Sequence, residues 1–170
     1  MNTVDEHRQA AREVLCFSVI TVSDSRTVEN DVSGKRICEL AVAAGHEILD
    51  HEIVTDDRLE IRTRLQSVLA DDKVDVVVLN GGTGFSQRDV TTEVVEPLLD
   101  TAIDGFGELF RMLSWQQVGA AAMLSRPVAG LIGRRAVFVL PGSPQAVELG
   151  MQQLILPEAA HLLSQVTRSD

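Results

Sequence analysis

Apolar stretches of strand length alternate along this chain with longer segments in which apolar residues recur every three or four positions. The strand-length stretches are rich in valine and isoleucine and cover residues 14–22, 47–54, 75–79, 128–132 and 136–140. The longer segments have helical periodicity and cover residues 34–44, 58–70, 92–102, 105–118 and a tail to about residue 166. Strands that alternate with helices form right-handed crossover units around a parallel sheet. The pattern therefore predicts an α/β sandwich.

Two turns carry residues that favour the start of a helix. Asp57 precedes the helix predicted at 58–70, and Glu60 follows it at the spacing of a capping box. Ser143 and Pro144 precede the C-terminal helix in the order preferred for an N-cap and a first helical residue. We therefore expect both helices to begin at these residues.

The composition narrows the possible partners. The chain has 170 residues, so we expect one domain over residues 1–170, with residues 1–13 as a flexible or helical N-terminal extension. Fifteen Lys and Arg residues against 25 Asp and Glu residues give a net charge of −10. Nucleic-acid binding depends on cationic side chains that neutralise phosphates. We therefore expect no nucleic-acid partner.

Localisation follows from the apolar stretches and the cysteines. No apolar stretch approaches the roughly 20 residues of a membrane-spanning helix, and the polar N-terminal residues do not resemble a signal peptide. Cys16 and Cys38 lie far apart in apolar segments, as is typical of core residues in a reducing compartment. We expect a cytoplasmic protein with no membrane partner.

Four polar or glycine-rich loops follow the carboxyl ends of predicted strands. They cover residues 23–26, 55–57, 80–89 and 141–144. Open α/β sheets bind their ligands beyond the carboxyl ends of the strands. The sequence therefore predicts that the ligand binds among these four loops.

The loop at 80–89 reads NGGTGFSQRD and has three glycines in four residues. Glycines allow positive φ angles and a close approach of the backbone to a ligand. Successive N–H groups can then form an anion-binding concavity, to which the Thr83 hydroxyl adds a donor. A tight glycine turn without a ligand is the alternative. The spacing matches neither a Walker A loop nor a dinucleotide fingerprint.

The loop PGSP, at 141–144, has two compatible interpretations. Capping of the following helix by Ser143 explains the residues on structural grounds. The free N–H groups and the dipole of that helix would also favour a phosphate.

Asp56 and Asp89 follow two different predicted strands. Two carboxylates that converge near phosphates are typical of a Mg²⁺ site, because Mg²⁺ takes one or two carboxylates together with phosphate oxygens. Either residue alone is also typical of a turn or a cap. Asp57 is the better helix cap, which leaves Asp56 without a structural role.

Two other groups of residues carry less information. His46 and His51 are five residues apart in a predicted strand, which is not the spacing of a helical zinc site. Trp115 lies near Phe106 and Phe110 in a helical segment, as is typical of a core or a subunit interface.

Several segments together resemble the MogA/MoaB family of molybdenum-cofactor biosynthesis. They are GGTGFSQRDVT, GFGELFRMLS, LSRPVAG and LPGSP, and the opening TVSDSR is similar to the family's first strand and loop. The resemblance extends from about residue 14 to residue 156, and GFGELFRMLSWQQVG is most similar to the MoaB branch. It implies a three-layer α/β/α sandwich with a mostly parallel central sheet, assembled as a homotrimer or a hexamer.

The resemblance also implies a reaction. Proteins of this kind adenylylate molybdopterin with Mg-ATP, giving adenylylated molybdopterin and pyrophosphate, and the product passes to a molybdate-inserting MoeA-like partner. Asp56 and Asp89 match the family's catalytic acidic positions, which also serve Mg²⁺. The positions that match molybdopterin- and nucleotide-binding residues are Ser23, Asp24, Gly81, Gly82, Thr83, Gly84, Ser125, Arg126, Pro141, Gly142 and Ser143.

The chain departs from the family at Thr92, where the family often has proline, and this difference removes no reactive group. Both carboxylates and the Arg88–Asp89 pair are present, which favours an active enzyme. A non-catalytic MoaB-branch module that binds molybdopterin or a partner is the alternative. A nucleotide- or flavin-binding sandwich unrelated to molybdenum is a third interpretation.

Overall fold

A computed structural model of the chain describes residues 14–167, so the N-terminal extension predicted at 1–13 lies outside the described residues. The strands are β1 (Cys16–Val22), β2 (Glu47–Val54), β3 (Val76–Asn80), β4 (Thr101–Ala102), β5 (Val128–Ile132) and β6 (Arg135–Leu140). The helices are α1 (Val32–Ala43), α2 (Arg58–Leu69), α3 (Thr91–Val95), α4 (Asp104–Val118), α5 (Pro144–Gly150) and α6 (Leu156–Thr167).

The six strands form one mixed sheet in the order β2–β1–β3–β6–β5–β4. The first four strands in this order run parallel, whereas β5 is antiparallel to β6 and β4 is antiparallel to β5. The predicted mostly parallel α/β sheet is therefore confirmed. Because the four parallel strands end at the same edge, the loops that follow them meet there.

Helices cover both faces of the sheet, which confirms the three-layer arrangement. On one face, Phe17 and Val78 pack with α1, α4, α5 and α6. On the other face, Ile20 and Val77 pack with α2 and α3. The consecutive valines of β3 thus point alternately into two cores, and the whole strand is buried.

The predicted helix starts hold with two differences. Asp57 caps α2 and accepts hydrogen bonds from the N–H groups of Leu59 and Glu60, as predicted. The Glu60 carboxylate, however, accepts hydrogen bonds from the Thr55 N–H and hydroxyl at 3.1 and 2.7 Å. The second hydrogen bond of the capping box is therefore made with Thr55 and not with the N-cap residue. Helix α1 begins at Val32, two residues before the predicted start.

The helix predicted at 92–102 is wrong in its second half. After α3 the chain continues as a single 3₁₀ turn, Glu96–Leu98, and then joins the sheet as β4. Pro97 has no N–H to donate to the preceding turn. The Asp100 N–H donates to the Leu131 carbonyl at 2.8 Å, so pairing with β5 replaces helical bonding.

Two helical segments have unusual geometry. A 3₁₀ run, Gly119–Leu124, connects α4 to the loop before β5. A π-helical segment, Met151–Ile155, joins α5 to α6, so the predicted C-terminal helical tail is continuous but has a wider, locally underwound turn. Within the described part of the chain, no helix has both the length and the apolar character needed to cross a membrane.

Helix α4 divides the aromatic cluster predicted for a core or an interface. Phe106 and Phe110 are buried against the sheet. Trp115 is 61% exposed, and Met112 and Leu109 are also exposed on the outer face of the helix. The inner half of the helix is thus core, and its outer half is an apolar surface.

Candidate functional site

A cavity of about 480 Å³ lies at the carboxyl edge of the parallel strands. All four loops that the sequence singled out contribute to its walls. The residues implied by the family resemblance that line it are Ser23, Asp56, Gly81, Gly82, Thr83, Gly84, Asp89, Ser125, Pro141 and Gly142.

The three remaining residues of that set lie close by but outside this cavity wall. Asp24 is bonded to Asp56, and Arg126 lies behind the glycine loop. Ser143 lines a second cavity of about 790 Å³ between α4 and α5. The two cavities adjoin, because Ser125 and Pro141 line both of them.

Glycine is required at two positions of the loop after β3. Gly81 has φ +99° and Gly82 has φ +65°, in the region that side chains other than glycine rarely adopt. A Cβ atom at Gly81 would overlap the Val22 carbonyl oxygen, and one at Gly82 would overlap the Thr91 hydroxyl. The loop therefore crosses directly over the ends of β1 and α3.

The loop backbone keeps several donors available. The Gly81 N–H donates to the Leu140 carbonyl at 3.0 Å, which ties the loop to β6. Among the residues that the structure describes, the N–H groups of Gly82, Thr83 and Gly84 have no hydrogen-bond acceptor. Consecutive N–H groups without acceptors are what an anion-binding concavity requires. The arrangement favours the anion-binding interpretation of NGGTG over an empty turn.

Asp24 and Asp56 tie the loops after β1 and β2 together. Each carboxylate accepts the other residue's backbone N–H at 3.0 Å. The Arg88 guanidinium lies 2.9 Å from the Asp24 carboxylate. Burial raises the pKa of Asp56, and the charges of Asp24 and Asp89 raise it further, whereas the Asp24 N–H and Arg88 act in the opposite direction.

Asp89 lies across the cavity wall at the end of the glycine loop. Its Oδ2 accepts the Ser86 N–H at 2.8 Å, and a Cβ atom at Gly84 would lie 2.9 Å from the same oxygen. The second oxygen of Asp89 and the Oδ1 of Asp56 accept no hydrogen bond within the described residues.

These two oxygens bear on the magnesium prediction. In the part of the chain that the structure describes, no group of three or more His, Cys, Asp or Glu side chains is arranged to hold a metal ion. Mg²⁺ characteristically takes only one or two carboxylates and completes its shell with water and phosphate oxygens. Asp56 and Asp89 therefore fit a Mg²⁺ ion that arrives with a phosphate ligand, and they do not fit a closed structural metal site.

Arg126 holds the outer side of the glycine loop. Its guanidinium donates to the carbonyls of Thr83 at 3.4 Å and Asp89 at 3.1 Å, and also to the Gly84 carbonyl. It pairs with the Glu93 carboxylate and lies 4.9 Å from the centre of the Phe85 ring. These contacts indicate that Arg126 stabilises the conformation of the glycine loop.

Thr92, the departure from the family pattern, also contributes to this side of the loop. Its hydroxyl donates to the Arg126 carbonyl at 2.7 Å. A proline could not make this bond, so the threonine anchors the chain segment that carries the arginine.

The PGSP loop is fixed by two serine hydroxyls. Ser143 is the N-cap of α5, and its Oγ accepts the Ala146 N–H at 3.2 Å, while Pro144 is the first helical residue; both predictions are confirmed. Ser33 of α1 donates to the Gly142 carbonyl at 2.8 Å. The second serine therefore links this loop to α1, which packs beside α5 on the same face of the sheet.

Sequence reasoning missed a buried polar cluster behind the cavity. The Thr21 hydroxyl donates to Asp31 at 2.6 Å, and the Asn80 amide donates to Thr21 at 2.9 Å. His51 Nε2 lies 2.9 Å from the same Asp31 oxygen, and the Gly34 N–H donates to the other at 2.9 Å.

The cluster keeps Asp31 ionised. Burial raises its pKa, but the hydrogen bonds from Thr21, Gly34 and His51 outweigh burial, and the net effect lowers the pKa. The available sequence signal was the spacing of Asp31 before the periodic apolar residues of α1, which marks a helix N-cap.

Comparison with known proteins places these loops in a wider context. A family described as "Probable molybdopterin binding domain" matches residues 18–161. Molybdenum cofactor biosynthesis protein B of Bacillus cereus is 47% identical over 169 residues, which covers 99% of each chain. All four loops of the cavity lie within the matched residues.

Solved structures show the same fold. A crystal structure of molybdenum cofactor biosynthesis protein B has a TM-score of 0.89 and 48% identity, and the match covers 94% of this chain and 99% of that one. The tungsten cofactor synthesizing protein MoaB from Pyrococcus furiosus has a TM-score of 0.83 and 38% identity, covering 92% and 99%.

Proposed function

This chain belongs to the MogA/MoaB family of molybdopterin-binding proteins, and we propose on that premise that it acts in molybdenum-cofactor biosynthesis as a molybdopterin adenylyltransferase. The terminal phosphate of molybdopterin attacks the α-phosphorus of ATP. A phosphorus–oxygen bond forms there, the bond between the α- and β-phosphates breaks, and pyrophosphate leaves. The products are adenylylated molybdopterin and pyrophosphate.

The observation that carries the proposal is the convergence of two carboxylates and an anion-receptive loop on one cavity. Asp56 and Asp89 each leave an oxygen without a hydrogen bond from the described residues, and both line the cavity. Nucleotidyl transfer needs positioning and charge neutralisation more than covalent catalysis. The cavity contains groups suited to both tasks.

The chain's own residues would divide these tasks. The N–H groups of Gly82, Thr83 and Gly84 bind phosphate oxygens, since they have no acceptor among the described residues. Asp56 and Asp89 would hold Mg²⁺, which supplies positive charge to the transferring phosphates when it is bound. Arg126 keeps the loop in its conformation through hydrogen bonds to the loop carbonyls.

Two adjoining cavities support a reaction with two large substrates. The 480 Å³ cavity contains the carboxylates, and the 790 Å³ cavity extends from it along α4 and α5. Ser125 and Pro141 stand at their boundary. One substrate can therefore lie in each cavity with the reacting phosphates at the boundary.

The outer face of α4 supports assembly into a homotrimer or hexamer. Leu109, Met112 and Trp115 are all exposed there, with Trp115 at 61%. Exposed apolar patches of this kind mark interaction surfaces. Light scattering should report a trimer or hexamer, and Trp115→Glu should shift the mass towards the monomer.

A partner of the MoeA-like, molybdate-inserting kind would receive the product.

Pyrophosphate release from a mixture of protein, molybdopterin, ATP and Mg²⁺ tests the proposal. We expect release by the wild type and a fall of about tenfold or more in Asp56→Asn and in Asp89→Asn, a barrier increase of roughly 1.4 kcal/mol. Asp72→Asn is the matched control, because its side chain is fully exposed and pairs with Arg135.

The same assay separates the enzyme from a binding module. Folded wild-type protein that binds molybdopterin but releases no pyrophosphate would contradict catalysis and favour the non-catalytic interpretation.

The effect of each ligand on the stability of the folded protein tests the third interpretation. A strong stabilisation by FMN alone, without an effect of ATP or molybdopterin, would favour a flavin-binding sandwich.

A further inference from the structure

Three buried polar side chains form a chain of hydrogen bonds that ends at the cavity. Thr21 and Asn80 are paired neighbours on β1 and β3, and Asp31 is the N-cap of α1. Their exposed fractions are 3%, 1% and 1%, yet all three contribute to the cavity wall. Each hydrogen bond in such a chain runs from a donor to an acceptor. A member that can only accept or only donate therefore fixes which groups donate along the whole chain.

Asp31 sets this direction. An ionised carboxylate only accepts hydrogen bonds, so the single Thr21 proton is committed to Asp31, 2.6 Å away. The Thr21 oxygen must then accept its other hydrogen bond, and Asn80 donates it through Nδ2 at 2.9 Å. The amide nitrogen of Asn80 is therefore held towards Thr21, and its amide oxygen lies on the opposite side.

The amide oxygen of Asn80 is left for a ligand. Within the described residues it accepts no hydrogen bond, although the side chain is almost fully buried. The oxygen is not one of the fully enclosed polar atoms that lack a partner, so it is accessible from the cavity and can accept a hydrogen bond from a ligand or a water molecule there. The oxygen thus favours a ligand that presents a hydrogen-bond donor, such as an N–H group, to this wall of the cavity.

We propose that Asn80 binds the exocyclic amino group of a heterocyclic ligand through its amide oxygen, and that Asp31 orients this amide through Thr21. The inference rests on the function proposed above, because molybdopterin and ATP both carry an amino group on a heterocycle. Asn80 is a specificity-determining residue in this account, and Asp31 and Thr21 are positioning residues.

The packing around Asp31 leaves the chain of bonds little freedom. A Cβ atom at Gly34 would overlap the side chains of Asp31 and His51 and would lie 2.5 Å from the Thr21 hydroxyl. The Gly34 N–H donates to Oδ1 of Asp31, and His51 contacts Oδ2. The carboxylate is thus held from three sides and keeps its orientation towards Thr21.

Two ligand pairs test the inference and separate its two sources. ATP is compared with ITP, and pterin with lumazine, because in each pair a carbonyl oxygen replaces the amino group. Dissociation constants are measured by calorimetric titration for each probe. We expect the wild type to favour the amino member of one pair by about tenfold or more, a difference of roughly 1.4 kcal/mol. The pair that discriminates identifies the source of the amino group.

Four variants assign the preference to the chain of hydrogen bonds. Asn80→Ala removes the acceptor, and Thr21→Val removes the connecting hydroxyl in a side chain of the same shape, so both should reduce the preference to less than about threefold. Thr21→Ser is the matched control, because it keeps the hydroxyl and should keep the preference. In Asp31→Asn the side chain can also donate, so Thr21 need no longer donate to it, and the preference should weaken. This variant tests the inference if Asn80→Ala does not fold.

Equal affinities within both pairs in the wild type, or no measurable binding in either pair, would overturn the inference. So would a preference that survives in Thr21→Val and Asn80→Ala. A loss of affinity for Mg²⁺ alone in Asn80→Ala, with both preferences unchanged, would instead assign the amide oxygen to the metal. Discrimination without pyrophosphate release would keep this inference and contradict only the proposed reaction.

Discussion

Asp24 and Asp56 exchange hydrogen bonds, each carboxylate accepting the backbone N–H of the other residue at 3.0 Å. Two like charges on separate loops are therefore held side by side by backbone donors. Arg88, 2.9 Å from Asp24, offsets part of the repulsion. The pair fixes the loops after β1 and β2 relative to each other, and it concentrates negative charge where the proposed Mg²⁺ would bind.

Neutralising Asp56 should stabilise the fold slightly at neutral pH. Burial and neighbouring carboxylates raise its pKa, so the folded chain holds this proton more tightly than the unfolded chain. The ionised form thus lowers stability above the raised pKa, and this penalty disappears as the pH falls through it. Asp56→Asn should raise the free energy of unfolding at pH 7 by less than about 1 kcal/mol, because partly exposed charges are screened.

Urea unfolding at pH 7 and pH 3 measures this effect. The gain should be present at pH 7 and absent at pH 3, where the wild-type carboxyl is protonated. An equal gain at both values would show that the charge of Asp56 is not its cause.

Asp31 should show the opposite pH dependence. Its folded pKa is lowered, so its contribution is present above the unfolded value of about 3.9 and is lost as the pH falls through the folded value. Asp31→Asn should therefore be less stable than the wild type by about 1–2 kcal/mol at pH 7, the range for a lost cap or buried hydrogen bond. This deficit should shrink below about pH 4. A deficit that is constant between pH 7 and pH 3 would contradict the assignment.

Gly82→Ala should destabilise the chain more than Gly133→Ala. Both glycines have positive φ, at +65° and +57°, so alanine adds about 1–2 kcal/mol of backbone strain at either position. Nothing lies within 4 Å of a Cβ atom at Gly133, whereas one at Gly82 would overlap the Thr91 hydroxyl. Denaturant unfolding of the two variants measures the cost of the contact between the new Cβ atom at position 82 and the Thr91 hydroxyl. Equal losses in the free energy of unfolding would show that the loop accommodates a side chain.

Arg126→Lys should lower turnover by about tenfold or more and stability by roughly 1–2 kcal/mol, because an ammonium group cannot reach three loop carbonyls and Glu93 together. Arg135→Lys is the control, since Arg135 lies at the start of β6, pairs with Asp72 and does not line the cavity. Pyrophosphate release and thermal unfolding are measured for both. If the two variants lose activity equally, the glycine loop does not depend on Arg126 for its shape.

Much of the fold follows from local sequence signals. The continuous valines of β3 predicted a strand buried on both faces, and Ser143 and Pro144 marked the start of α5. The helix predicted at 92–102 failed because periodicity did not register the missing N–H of Pro97 or the competing pairing of β4 with β5.

The candidate site was predictable in its loops but not in its internal connections. The rule for the carboxyl ends of parallel strands selected all four loops that line the cavity. The bonds that join Thr21 to Asn80 and Arg126 to Gly84 span 59 and 42 residues. No local pattern encodes such pairs, because they exist only once the sheet has brought distant segments together.

The most direct test of the central claim follows the phosphates of ATP. The protein is mixed with molybdopterin, Mg²⁺ and ATP carrying label either at the α- or at the γ-phosphate. We expect the α-label to appear in a molybdopterin product and the γ-label in pyrophosphate, with both transfers reduced about tenfold or more in Asp56→Asn. A γ-label released as inorganic phosphate, or an α-label that never reaches molybdopterin while molybdopterin is bound, would contradict it.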